Sequence, residues 1–379
     1  MRSISSITVN EVDFHICGGV DPKTGLKACS GKCPYCYVDM VKKSNPVFKE
    51  LPVFGDKATL MQAIRNIRKT ARPKDFVFVG GDPCEHDNLM ELIKLAKGLG
   101  MNVAVLSNTH VYKMDGRVIP IEWVTPFVDE LAFTLHGIGD RHDSVNGNIG
   151  AYRNGMWQLK KFMSARGTTD KAVSILMNFV PYTMRHLEEM MIGAIEELQM
   201  DPERDYFAIQ RIAPTGLAKN DYERWKVRRD LLPGALRTLK DIRERLGFET
   251  KLDTIDVFPW CSIPEEYHDM LHEGGCQWGQ PNGVLSVVQD GGIQRCALSE
   301  RTIGSFLEID TREKFTRFML DNPTLRAFRE HRHLEDRCLR CEYLDRCGGG
   351  CVIAVGGEDG DPYAVDGGVV CTGRDYLAL

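Results

Sequence analysis

The chain has 379 residues, 43% hydrophobic and 27% charged, and a formal net charge of -5; its length exceeds the roughly 250–300 residues at which single cores stop growing, so a catalytic-sized domain plus a smaller one is expected. The acidic balance argues against a generic polyanion binder, and neither an apolar run of about 18 residues nor a basic-then-apolar leader is visible, so the expectation is a cytoplasmic protein with no nucleic-acid or membrane partner. Thirteen cysteines in such a chain point away from a disulfide framework and toward metal or cluster ligation.

From about Ile7 to Gly216, short β-branched runs alternate with amphipathic stretches, the rhythm of βα units around a parallel sheet. Strands are expected at 7–16, 76–79, 103–106, 130–135, 173–179 and 206–210. Helices are expected at 58–70, 88–99, 152–165 and 187–198, each with apolar residues at three- and four-residue intervals. The fold class that follows is α/β, a partial (β/α)6 TIM-like barrel. A charged helical segment (221–246) and a strand-like one (251–258) then bridge to a cysteine-rich end, where glycine and short strands replace the βα rhythm from near residue 250. The expected division is a barrel at 1–220, a bridge at 221–260 and a small cluster-binding domain at 261–379. Residues 356–368 read as a turn-rich loop.

After the first strand comes ACSGKCPYCYVD, in which Cys29, Cys33 and Cys36 share an irregular loop with Gly31 and Pro34. A cubane cluster takes four ligands, commonly thiolates, so three cysteines this close leave one iron open. From spacing alone a zinc site completed by His15 or Cys17 remains an alternative. The second predicted strand ends in Gly80-Gly81-Asp82-Pro83; two glycines at the carboxyl end of a strand let backbone approach a ligand closely, although the same residues also suit an ordinary turn.

Taken together, Cys29-x3-Cys33-x2-Cys36, the aromatic Tyr35 before the last cysteine, and the Gly-Gly-Asp-Pro run resemble the radical SAM superfamily. The resemblance implies a [4Fe-4S] cluster on the three cysteines, S-adenosyl-L-methionine (SAM) on its open iron, Tyr35 near the adenine, and Gly80, Gly81, Asp82 and Pro83 at the methionine amino group. Asp82 stands where the family usually carries Glu. Ser107, Asn108, Thr134, His136, Asn178 and Arg211, at strand ends, are implied as further SAM contacts; each is also a plausible turn or loop residue. His142 and Asp143 occupy a loop in which relatives carry a polar pair.

Toward the other end, Cys276-x14-Gly291-x4-Cys296 precedes Cys338-x2-Cys341-x5-Cys347-x3-Cys351, with a last cysteine at Cys371. This pattern resembles the SPASM extension of radical SAM maturases, which implies two auxiliary [4Fe-4S] clusters and three clusters in all. By position, Cys338, Cys341, Cys347 and Cys371 would hold the outer one, and Cys276, Cys296 and Cys351 the inner one. The inner fourth ligand stays open: Cys261, or a substrate thiolate. A zinc ribbon on Cys338 to Cys351 is the alternative to clusters.

The resemblance implies an oxidoreductase-type enzyme that modifies a peptide or protein, supplied with electrons by a low-potential donor such as flavodoxin or ferredoxin. Sulfatase-maturing relatives carry an Asp base after the cysteine matching Cys296, where this chain has Ala297. The expectation is therefore a thioether or carbon–carbon cross-link, with a separate leader-binding protein or a substrate recognised without a leader, because the 28 residues before Cys29 are largely taken by the first strand. A radical peptide epimerase is a rival, with Cys84 or Cys17 as hydrogen donor, and both cysteines also suit a buried structural role. A sulfatase-maturase-like dehydrogenase is a second rival. An iron–sulfur electron carrier or a zinc scaffold is the non-enzyme alternative.

Overall fold

The structure is a computed structural model describing residues 7–21, 23–38, 46–114, 116–228, 230–252, 257–271, 275–332, 334, 336–351 and 353. In chain order the elements that build the site are β1 (Glu11–Cys17), α1 (Lys57–Thr70), β2 (Asp75–Gly80), α2 (Leu89–Gly98), β3 (Asn102–Leu106), β4 (Glu130–Thr134), α3 (Ala151–Arg166), β5 (Ala172–Asn178), α4 (Leu187–Leu198) and β6 (Tyr206–Gln210). They are followed by α5 (Leu232–Leu246), β7 (Thr250–Leu252), β8 (Val284–Val287), β9 (Gly292–Gln294), β10 (Gly304–Ser305), α6 (Arg312–Asp321) and α7 (Pro323–Arg329). All six strands and four helices expected of the βα rhythm are present.

The strands form one sheet in the order β10-β9-β8-β1-β2-β3-β4-β5-β6-β7, parallel from β8 to β7. Side chains alternate across each strand, and the two faces here differ sharply. Outward positions carry Phe14, Phe76, Phe78, Phe133 and Phe207, all fully buried beneath helices, and each contributes about 1.5–3 kcal/mol by leaving water. Inward positions carry Asp13, Ala104, Ala132, Ser174 and Ala208. Small and polar inner residues leave a lumen where a closed eight-stranded barrel would be filled by side chains.

Helix α1 shows how the outer layer is specified locally. The Asp56 side chain accepts from the Thr59 amide at 3.0 Å, satisfying a donor that a helix start leaves unpaired. Leu60, Ala63, Ile64 and Ile67 then recur at helical spacing and are buried.

Two expectations need adjustment. The charged segment 221–246 is not one helix: a short turn at Tyr222–Trp225 is separated from α5, because Pro233 is tolerated only in a helix's first turn and so sets the start at Leu232. The strands of the cysteine-rich end also continue the barrel sheet, β8 running parallel to β1 with Val12 opposite Leu285. Of the strand expected at 251–258, Thr250–Leu252 is observed; residues 253–256 and the loop at 356–368 lie outside the described residues.

Candidate active site

The carboxyl ends of β2 to β6 and the loop after β1 enclose one cavity. Gly80, Gly81, Ser107 and Asn108 line it from β2 and β3, and Thr134, His136, Asn178 and Arg211 from β4 to β6. Cys33, Tyr35 and Cys36 line it from the cysteine loop. Residues expected from six separate stretches of sequence thus meet around one space, at the end of a parallel sheet where ligands bind.

Hydrogen bonds fix this wall. The Gln210 amide donates to Asn178 Oδ1 at 2.8 Å, and the Asn178 side chain donates to the Tyr35 phenol. Tyr35 in turn meets His136 Nδ1 at 2.9 Å. With the phenol proton given to Nδ1, the ring proton lies on Nε2, 3.7 Å from Cys33 Sγ. Burial, with His142 beside it, pushes His136 down to about 3, so the ring stays neutral and keeps this tautomer. Tyr35 is also packed edge-on by Trp225, with ring centroids 5.1 Å apart.

The three cysteines fit a thiolate-bound cluster. The Gly31 amide points at Cys29 Sγ from 3.2 Å, and the Asn108 side chain from 3.9 Å; such donors stabilise cluster sulfurs. Burial, with Cys36 nearby, pushes the Cys33 thiol up to about 12. Among the described residues no three Cys, His, Asp or Glu side chains surround a point that one ion could occupy, whereas a multi-iron cluster asks each thiolate to bind a different iron. Gly216 closes the loop from outside: its φ is +53°, a Cβ there would strike the carbonyl oxygens of Cys36 and Tyr37, and the Leu217 amide donates to Cys36 O at 2.9 Å.

Four expected residues stand elsewhere. Asp82 is fully buried with its carboxylate turned from the cavity, accepting from the Ser107 hydroxyl at 2.7 Å, the Cys84 amide at 3.0 Å and the Asn108 amide at 3.2 Å. Burial pushes that carboxyl up to about 6 against the pull of these donors. Asp82 therefore shapes the wall, and Gly80 and Gly81 provide the lining; Pro83 is buried in the turn behind. Cys17 and Cys84 are likewise buried outside the lining. The Cys17 thiol donates to Asp82 O at 3.3 Å, and burial raises both thiols. Both candidate hydrogen donors are thus placed behind the cavity wall and not on its lining. Of the loop pair, His142 accepts from the His136 amide at 3.3 Å and Asp143 from the Gly150 and Tyr152 amides, so both organise the wall.

At the other end, Cys276, Cys296 and Cys351 share one buried cluster with Ala297 and Leu298, and those two residues line the cavity. Cys338, Cys341 and Cys347 line a second, smaller cavity, and Cys261 lines it with them. Cys261 is thus placed beside the outer set, not the inner set for which it was a candidate. Backbone amides again face sulfur: Trp260 to Cys347 at 3.4 Å and Tyr343 to Cys341 at 3.5 Å. Cys371 lies outside the described residues.

Among the polar lining residues, Asp13, Tyr37, Gln210 and Thr215 escaped the sequence reading. Gln210 ends β6 as Asn178 ends β5, so the same strand-end rule reaches it. Asp13 shows only as a carboxylate between the apolar Val12 and Phe14 in the middle of β1.

No family model matches the chain. It is 25% identical over 362 residues to the pre-heme d1 synthase of Dinoroseobacter shibae, covering 90% of this chain and 83% of that protein. It is 21% identical over 341 residues to the PqqA peptide cyclase of Bradyrhizobium diazoefficiens, covering 89% and 82%. Among solved structures, Streptococcus suis SuiB bound to S-adenosylmethionine matches with a TM-score of 0.65 at 14% identity, over 92% of this chain and 74% of that one. The anSMEcpe structure with bound AdoMet matches at 0.63 and 14% identity, over 97% and 93%.

Proposed function

We propose that this chain, a radical SAM enzyme, oxidatively modifies a peptide, joining a substrate carbon to a second atom as a thioether or carbon–carbon cross-link. The observation that carries the reading is the convergence of the cysteine loop and five strand ends on one cavity. SAM held at a [4Fe-4S] cluster supplies, on one-electron reduction, methionine and a 5'-deoxyadenosyl radical able to take hydrogen from an unactivated carbon. Cys29, Cys33 and Cys36 would hold that cluster. The chain from Gln210 through His136 fixes the wall, and Gly80 and Gly81 give a close backbone approach.

Several features support an oxidation of a peptide. A relative is named PqqA peptide cyclase, and SuiB and anSMEcpe have been solved with peptides, SuiA and Cp18Cys. Cys276, Cys296 and Cys351 beside the cavity suit an inner auxiliary cluster that accepts an electron. Cys338, Cys341 and Cys347, with Cys371, suit an outer one. Ala297 in place of an acidic base favours cross-linking over formylglycine formation. A flavodoxin- or ferredoxin-type donor and a separate leader-binding protein complete the reading. So does a domain division into barrel, bridge and cluster-binding end.

A second reading, a heme-type macrocycle as substrate, is favoured by the 25% identity to pre-heme d1 synthase across 90% of the chain. The test is anaerobic reconstitution followed by incubation with SAM, dithionite and each candidate peptide taken from short open reading frames neighbouring the gene. The expected result is 5'-deoxyadenosine together with a peptide lighter by two hydrogens. An unmodified peptide with turnover of a porphyrin precursor would replace the first reading with the second, and bound zinc without SAM cleavage would remove both.

A further inference from the structure

Strand β1 carries two carboxylic acids, Glu11 and Asp13, two residues apart and therefore on the same, inward face. Asp13 is the sole carboxylic acid among the described residues that line the site cavity. It also lines a second cavity below, formed by the first residues of the strands, including Glu11, Asp75, Asn102, Glu130 and Tyr206. Asp13 thus stands at the waist of a lumen that runs the length of the barrel, and exposed Asn102 and Asp170 mark where the lower cavity meets the surface.

Among the described residues, Asp13 shares its lower cavity with Asp75, Asp129, Glu130, Asp170 and Lys171. The Glu11 carboxyl hydrogen-bonds to Asp13, Tyr37 lies near it from the cysteine loop, and Ser286 on β8 and Val77 on β2 are its cross-strand neighbours. Below, Tyr206 binds Glu130 at 2.6 Å. Burial, reinforced by Glu11, holds the Asp13 carboxyl well above its ordinary range. A hydrogen bond between two carboxyl groups needs a proton on one of them, so the pair is built to hold a proton between its oxygens. Ala297, where the resemblance would place an aspartate base, presents only a methyl group to the same cavity.

We propose that Asp13 accepts the proton that the substrate sheds during oxidation and passes it through Glu11 to the lower cavity. This rests on the peptide-modifying reading. A substrate C–H bond breaks as its hydrogen atom goes to the 5'-deoxyadenosyl radical. The carbon then bonds to the second atom, whose bond to hydrogen breaks, with the electron leaving to an iron–sulfur acceptor and the proton to Asp13.

The test uses the reconstituted full chain with SAM, dithionite and the candidate peptide that the wild-type enzyme cross-links. Asp13→Asn should keep forming 5'-deoxyadenosine while cross-linked peptide per 5'-deoxyadenosine falls about 100-fold, the scale of a lost general base. Asp13→Glu should recover part of it, which separates chemistry from misfolding. Infrared spectroscopy of the wild type, Asp13→Asn and Glu11→Gln should show a protonated-carboxyl band that disappears in Asp13→Asn and shifts in Glu11→Gln, which leaves Asp13 buried but removes its carboxyl partner. An unchanged product ratio in Asp13→Asn, or a band untouched by either substitution, would overturn the proposal. Wild-type enzyme that cleaves SAM but leaves every candidate peptide unmodified would instead overturn the peptide reading, and the infrared result would still decide whether the pair shares a proton.

Discussion

At the scale of single residues, the site depends on side chains that hold other side chains. His136 was expected as a SAM contact; it lines the cavity, but its ring also spans from Tyr35 to Cys33 Sγ. Replacing it by Ala would strip a donor from a cluster sulfur. The expected outcome is a more negative cluster potential by electron paramagnetic resonance titration and SAM cleavage slowed about 10- to 100-fold. The same role was invisible for Asp82, whose family motif suggested a direct ligand contact while its carboxylate closes onto Ser107 and Asn108. A motif states which residues are required but not which way a side chain turns, because that depends on neighbours 25 and 26 positions away.

Among the elements, the junction of α3, β5 and β6 is held by a buried ion pair. Arg166 at the end of α3 meets both oxygens of Asp205, at 2.5 and 2.7 Å, and Asp205 also accepts from the Val173 and Asp201 amides. Asp205→Ala leaves an uncompensated buried guanidinium, so urea denaturation should show a loss of about 3–5 kcal/mol. Nothing in the local sequence announces this pair, since its members lie 39 positions apart. The strands and helices it joins were all legible, because their apolar periodicity is a local property. Pro233 likewise fixed the start of α5 by local sterics.

For the whole molecule, the two faces of the sheet have different tasks, and substitutions should separate them. Phe207→Ala, on the outer face, removes a fully buried ring and should cost about 3–5 kcal/mol. Ala208→Leu, one residue on and lining the lower cavity, should cost far less stability while narrowing the lumen, readable as unchanged melting with reduced product. Acid sensitivity is a second property of the whole. Burial pushes His15 and His136 down to about 3, and His110 and His142 down to about 4. A histidine with a lowered folded-state pKa contributes stability above its unfolded value near 6.5 and loses it as pH falls, here between about 6.5 and 4. Each should remove about 2 kcal/mol between pH 7 and pH 5, offset in part by Asp82, whose raised pKa has the opposite sign. Comparing wild type with His110→Gln at both pH values cancels the Asp82 contribution and should show the shallower slope in the variant. The sequence by itself determined the βα order, the cysteine loop and the strand-end residues, because hydrophobic periodicity and ligand spacing are written along the chain. Only the tertiary structure decided that β8 continues the barrel sheet, that Cys261 stands with the outer cysteines, and that Asp13 faces the lumen shared by both cavities. Those facts depend on which segments pack side by side, and contacts between distant parts of a chain leave no local pattern to read.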